Sequence, residues 1–159
     1  MFKFEKHLKT IQKLNYTIKI IDASETYGVR QPVLRDGKPI ETCMFDGDNL
    51  QTTFHLGLYI TNELVGICSF FKNNHPLIAN ASQYQLRGMA ILDAYQGLGL
   101  GTLILSHGET LLKQQGIPVI WCNARVKATE FYNKMGYKII GEPFDIKDIG
   151  LHYCMYKPL

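Results

Sequence analysis

The sequence predicts a mixed α/β fold, a mostly antiparallel sheet of about six to seven strands flanked by helices. Three observations predict it. The apolar runs "TFHLGLYI" and "LVGICSFF" are separated only by "TNE", a hairpin signal that requires antiparallel pairing. Elsewhere, helix-period segments alternate with strand-like runs. The length, 159 residues, and the 46% hydrophobic and 19% charged fractions suit one domain around one core. The expectation is a single domain over residues 1–159, with residues 1–15 as an amphipathic N-terminal extension.

The elements follow in order. Residues 2–14 space Phe4, Leu8, Ile11 and Leu14 three and four apart, which suggests a short amphipathic helix with its lysines outward. This segment suits either a cap on the domain or a dock for a second subunit, so a homodimer is one expected arrangement. "YTIKII" is a β-rich run. "DASETYGVRQPVLR" carries a helix-start signal at Asp22 or Ser24, and Pro32 is expected to split or kink the helical region. "RDGKPIETCMFDGDNLQ" reads as a long loop. After the hairpin comes the loop "KNNHPLIANAS" and the strand "YQLRGMAIL". A helix to about Gln115 follows, with Leu100, Ile104 and Leu111 on one side and Leu103 beside them, closed by Gly116 and Pro118. "PVIWCN" is a buried strand. "KATEFYNKMGY" is a helix with Ala128, Phe131, Tyr132 and Met135 on one face, ended by Gly136. "YKIIGE" and "LHYCMYKP" are strands joined by the loop "PFDIKDIG".

Charge and cysteine content exclude several classes. Five lysines against one glutamate in the first 20 residues account for the net charge of +3, so the rest of the chain is slightly acidic. A nucleic-acid binder needs a basic face on the fold itself, and no aromatic-basic motif is present. No apolar run approaches the roughly 20 residues of a membrane helix, and the N-terminus lacks a continuous apolar core of the secretory type. Cys43, Cys68, Cys122 and Cys154 are widely spaced, with no Cys-x-x-Cys. Cys68 and Cys122 lie in apolar runs and read as core residues. A reducing cytoplasm is expected, and no metal, since the histidines lack ligand spacing.

The chemistry concentrates in "YQGLGLGT", Tyr95–Thr102. Strand, glycine-rich turn and helix is an anion-binding arrangement, because the helix start offers N–H groups without intrahelical partners and the helix dipole favours negative charge. The dinucleotide fingerprint fails, since its third glycine falls on Thr102 or Ile104. The strand ending near Trp121–Asn123 also lacks an acid to hold a ribose. The Walker A loop fails because no lysine lies between Arg87 and Lys113. The pattern Gln/Arg-x-x-Gly-x-Gly/Ala is matched by Gln96–Gly101.

Here the chain resembles the GNAT superfamily of acyl-CoA-dependent N-acyltransferases, from about Tyr16 to the C-terminus. "YQLRGMAILDAYQGLGLGTLIL" is similar to that family's fourth strand, pyrophosphate loop and following helix. "VIWCNARVKATEFYNKMGYKIIGE" is similar to its fifth strand, fourth helix and sixth strand. "PFDIKDIGLHYCMYKPL" is similar to the ending of a small bacterial branch.

The resemblance implies acetyl-CoA as co-substrate and a primary amine of a small molecule or peptide as acceptor. It implies that backbone N–H groups of Gln96, Gly97, Leu98, Gly99, Leu100, Gly101 and Thr102 hold the pyrophosphate. Leu98 and Leu100 would anchor the turn to the core. It also implies that the backbone of Met89, Ala90 and Ile91 pairs with the pantetheine amides. Tyr132 matches the tyrosine that protonates the leaving thiolate, and a phenol near pKa 10 beside a thiol near 8.5 is suited to donate. Its plainer reading is a core aromatic. Many family members carry Asn three residues before the alanine of their Ala-x-x-Phe-Tyr run. This chain has Arg125 there, and Asn123 two residues earlier. Asn123 and Arg125 are cofactor-side candidates, Arg125 through a phosphate oxygen. No carboxylate in "YQLRGMAIL" offers a general base; His152, Glu142 and Asp145 are substrate-side candidates, beside a water chain. A non-catalytic acyl-CoA sensor or assembly module is the alternative.

Overall fold

A computed structural model describes residues 14–159, so the expected amphipathic helix lies outside the described residues apart from Leu14. The strands are β1 (Tyr16–Ile21), β2 (Phe54–Ile60), β3 (Glu63–Lys72), β4 (Gln83–Ile91), β5 (Val119–Arg125), β6 (Lys138–Ile139), β7 (Phe144–Ile146) and β8 (Gly150–Pro158). The described helices are α1 (Tyr27–Leu34), α2 (Leu100–Gln114) and α3 (Thr129–Lys134), with short 3-10 turns between elements. The fold class is the expected one, a mixed and mostly antiparallel sheet with helices.

The described residues form two compact units, one reaching Ser69 and taking in Gly88–Gly108, the other made of Phe70–Arg87 and Glu109–Leu159. β3, β4 and α2 run through both. In the first unit the strand order is β1-β2-β3-β4, with β1 antiparallel to β2 from Tyr16↔Ile60 to Ile21↔His55. Its core gathers Ile21, Val29, Ile67 and Ala90, flanked by Val33, Leu34, Tyr59, Leu64 and Leu92. In the second unit the order is β4-β5-β8-β6, with β7 beside β8. β4 and β5 pair in parallel from Gln83↔Val119 to Leu86↔Cys122, and β5 and β8 pair antiparallel from Val119↔Pro158 to Arg125↔His152. Its core gathers Ile78, Val119, Trp121 and Cys154, flanked by Ile140, Phe144 and Tyr156. All four cysteines are buried and free, as core residues of a thiol type. No described helix is long and apolar enough to cross a membrane.

Three local readings change. α1 continues through Pro32 and ends two residues later. Proline removes one hydrogen bond and crowds the carbonyl four residues back, here that of Gly28, and so close to the end of the helix the loss is confined to its last turn. The buried face of α2 is Leu100, Ile104, Leu105, Leu112 and the carboxylate residue Glu109, whereas Leu103 and Leu111 are half-buried. The loop "PFDIKDIG" contains β7, which folds back on β8 through Phe144↔His152 and Ile146↔Gly150, with Asp148 at φ 63° in the turn. Three residues are too short a run for periodicity to register. Other signals hold. The end of α2 is closed by Ile117 N–H to Leu112 C=O at 3.0 Å and Gly116 N–H to Lys113 C=O at 3.0 Å, the 6→1 and 5→2 bonds of a helix stop.

The first unit buries a charged cluster. The Arg30 side chain is fully buried; its Nη1 donates to Asp48 Oδ2 at 2.7 Å and to Cys43 C=O at 2.7 Å. Its Nη2 donates to Asp48 Oδ1 at 3.0 Å and Ser69 Oγ at 2.9 Å, and the guanidinium lies 3.9 Å over the Phe45 ring. Asp48 also accepts the Phe45 N–H at 2.8 Å, so the long loop after α1 is tied to α1 and β3 by charge-assisted bonds. Gly88, at φ +61° inside β4, completes the packing: a Cβ there would meet Phe45 Cε2 at 2.8 Å and Arg30 Nε at 3.2 Å.

His55 belongs to the same cluster. Its Nε2 sits 2.8 Å from Asp48 C=O and its Nδ1 2.7 Å from Ser69 Oγ. A carbonyl can only accept, so Nε2 carries the proton and Nδ1 accepts from Ser69. Burial pulls the His55 pKa below its usual value, with the Arg30 charge adding to it against the opposing pull of Asp48. A depressed histidine contributes stability that is full above the unfolded pKa, and the unfolded chain binds the extra proton below it. Stability is therefore expected to fall as pH drops below about 6.5. Melting curves over that range check this, and His55→Gln should flatten the slope.

Candidate active site

The glycine stretch resolves into separate jobs. β4 leaves the sheet at Ile91, and Leu92 N–H donates to Val65 C=O at 2.8 Å, holding the exit against β3. A 3-10 turn at Asp93–Tyr95 follows. The Gln96 side chain then folds back, its Nε2 donating to Ile91 C=O at 2.9 Å and Asp93 Oδ1 at 3.0 Å. Its backbone N–H donates to Asp93 C=O at 3.3 Å. Gly97 and Gly99 take φ +75° and +79°, the left-handed region that glycine enters without steric cost. Gly101 is different: it is already inside α2. Gly99 C=O accepts the first helical bond, from Leu103 N–H at 3.3 Å. The N–H groups of Leu100, Gly101 and Thr102 thus form the helix start, where an α-helix supplies no partner of its own.

Of the two leucines, Leu100 is fully in the core and Leu98 is half-buried. Gln96, Gly97 and Thr102 are exposed. Ala90 is buried, and Met89 and Ile91 are half-buried, their room made partly by Gly66, where a Cβ would meet Ile91 Cδ1 at 2.5 Å. The turn is also tied down by Tyr95 Oη, which donates to Glu63 Oε2. The first unit therefore presents strand end, left-handed turn and helix start in immediate succession, an arrangement suited to a phosphate-bearing ligand.

The second unit holds the remaining candidates. Asn123 and Arg125 lie within β5, which runs two residues beyond the strand read as "PVIWCN": Asn123 is exposed opposite Cys154, and Arg125 is half-buried opposite His152. Burial pushes the Cys154 thiol up to about 11, and pushes Cys122 up well beyond its usual value, so neither is a thiolate at neutral pH. After β5 a 3-10 turn at Val126–Ala128 leads into α3, which carries Tyr132. Tyr132 is buried between Phe131 and Tyr137, both edge-on, with ring centroids 5.2 and 5.3 Å away.

Two tyrosines are thus adjacent, and their surroundings separate them. Tyr137 Oη donates to Glu109 Oε1 at 2.9 Å, while Lys157 Nζ donates to Glu109 Oε2 at 2.6 Å. Burial first, and the Glu109 charge second, hold the Tyr137 hydroxyl protonated well above the ordinary phenol range. Tyr137 is therefore committed to a buried ion-pair network. The sequence reading missed this network and the Arg30–Asp48 pair. One signal for the first was available: Glu109 lies three residues before Leu112 and four after Leu105, on the buried side of the helix, where a carboxylate requires partners.

A family model described as "Acetyltransferase (GNAT) family" matches residues 24–137. The chain is 41% identical over 142 residues to the uncharacterized N-acetyltransferase YitI of Bacillus subtilis (strain 168), covering 89% of this chain and 95% of that protein. Its fold is similar to a putative N-acetyltransferase from Lactobacillus plantarum, with a TM-score of 0.72 at 22% identity over 90% of this chain and 99% of the other. It is also similar to a GNAT family acetyltransferase from Elizabethkingia anophelis with acetyl-CoA bound, with a TM-score of 0.66 at 15% identity over 91% and 99%.

Proposed function

Since the chain belongs to the acetyltransferase (GNAT) family, we propose that it moves the acetyl group of acetyl-CoA directly onto a primary amine of a small molecule or peptide. The observation that carries the reading is the pair of left-handed glycines, Gly97 and Gly99, that deliver the start of α2 straight after β4. The N–H groups from Gly97 to Thr102 hold the pyrophosphate, where donors and helix dipole act together. Gln96 serves this loop chiefly through the side chain that staples it to Ile91 and Asp93. Backbone groups of Met89, Ala90 and Ile91 pair with the pantetheine amides. One strand N–H polarises the thioester carbonyl as charge develops on its oxygen. Asn123 and Arg125 contact the cofactor from β5, and Tyr132 gives its proton to the leaving thiolate. The whole chain acts as one domain.

The test is an amine panel with acetyl-CoA, read as release of free thiol, beside melting curves with acetyl-CoA and with NAD. Thiol release with at least one amine is expected. A rise in melting temperature with acetyl-CoA alone is expected too, since a ligand that binds only the native state stabilises it by mass action. No shift with any acyl-CoA overturns the reading. A shift without transfer to any amine turns it into that of a sensor.

A further inference from the structure

We infer that His152 is the general base that takes the proton from the acceptor ammonium; the inference rests on the transferase reading above. His152 lies in β8 with only 4% of its surface exposed. Its Nδ1 is 2.6 Å from Gly150 C=O. A carbonyl only accepts, so Nδ1 carries a hydrogen and in the neutral ring Nε2 carries the lone pair. The ring is held stacked on Phe144 of β7, centroids 6.0 Å apart and planes 28° from parallel. Nε2 has no hydrogen-bond partner among the described residues, yet it is not one of the sealed polar atoms without a partner. A buried ring, oriented by a backbone bond and presenting a lone pair, is the arrangement a base requires.

Its neighbours support the assignment. In an antiparallel pair, directly opposite residues point to the same face. His152 is opposite Arg125, and Cys154, next on that face, is opposite Asn123. These are the two β5 residues proposed above to contact the cofactor. The charged and titratable groups that this pairing places on the face of His152 are Arg125 from β5 and Cys154 on its own strand; Asp145 of β7, opposite Leu151, is on the other face. The other described histidines are engaged or outward. His55 has both nitrogens bonded, His75 Nδ1 accepts the Leu77 N–H at 3.2 Å, and His107 is on the exposed side of α2. Glu109 has both oxygens committed to Tyr137 and Lys157.

The step balances as follows. The ammonium gives one proton to Nε2, leaving a neutral amine and an imidazolium. The nitrogen lone pair forms the C–N bond at the thioester carbon, and the C–S bond breaks with its pair going to sulfur. Sulfur takes the Tyr132 proton, and the second nitrogen proton returns to Tyr132 through solvent as the amide forms. His152 releases its proton to water, so each turnover frees one proton.

The experiment compares kcat/KM against pH for the wild-type chain and His152→Gln, using an amine that the panel identifies. At pH 7 the variant is expected to fall about 10²-fold or more. The deficit should shrink as pH approaches the amine's own pKa, where no base is needed, while the melting shift with acetyl-CoA stays unchanged. A purely structural role would give the same deficit at every pH. That outcome, or an unchanged variant beside an active wild type, overturns the inference alone. A wild type inactive on every amine overturns both it and the reading beneath it. Nitrogen NMR of histidine-labelled wild-type protein is independent of the variant's folding: Nδ1–H for His152 is expected, and Nε2–H overturns the assignment.

Discussion

Asp48→Ala is expected to cost about 3–5 kcal/mol of stability, because it leaves the Arg30 charge buried and uncompensated. For a chain of this size that is a fall in melting midpoint of roughly 10 °C. The reason lies in the geometry. Asp48 takes both guanidinium Nη groups, at 2.7 and 3.0 Å, and the Phe45 N–H at 2.8 Å, with both side chains buried. Removing the carboxylate orphans three donors at once, and each buried donor without a partner carries its own desolvation cost. Thermal and urea unfolding of the variant check the figure. A loss under about 1 kcal/mol would place the pair with surface ion pairs, contrary to its burial. The double variant Arg30→Met with Asp48→Leu separates the contributions. Much of the single-variant loss should return, since a buried ion pair is often no better than a well-packed apolar pair.

Tyr132→Phe is expected to lower kcat about 10²- to 10³-fold, the range for loss of a positioned proton donor. The substitution keeps the ring, so the edge contacts to Phe131 and Tyr137 remain. Acetyl-CoA should therefore still raise the melting temperature as it does in the wild type. Tyr137→Phe is the control. Its hydroxyl is already given to Glu109, so its loss should appear as reduced stability with kcat nearly unchanged. Unchanged turnover in Tyr132→Phe on a good amine, by steady-state kinetics, would remove Tyr132 as the acid. An equal loss of kcat in both variants would point to packing about α3 instead.

Much of the fold was legible because period and punctuation agree over long stretches. The β2–β3 hairpin, β4, the body of α2 and β5 all combine apolar pattern with turn residues in the right places. The misreadings fall where one of these is missing. β7 has three residues, too few to show alternation, and it exists because β8 offers it an edge. Pro32 read as a break because proline cannot bond the carbonyl four residues back, yet it sits in the last turn of α1, where one missing bond is all the helix loses. The α2 stripe was displaced toward Leu103 and Leu111 because apolar type alone was counted, and Glu109 occupies a buried position that leucine would normally hold.

By itself, the sequence determined the local chemistry: a strand, a turn needing glycine, a helix start, and an Ala-x-x-Phe-Tyr run at a set distance. These depend on residues near one another in the chain, where steric limits on φ and hydrogen-bond geometry act directly. Only the tertiary structure decided which polar groups are shared. It brought Arg30 to Asp48 and Ser69, separations of 18 and 39 residues, and Glu109 to Tyr137 and Lys157, separations of 28 and 48. It also decided which His152 nitrogen carries the proton, through a carbonyl whose position follows from the β7–β8 turn. A buried charge has no fixed partner in sequence. It takes whichever group the chain folds against it, because a partner within hydrogen-bond reach is what makes its burial tolerable.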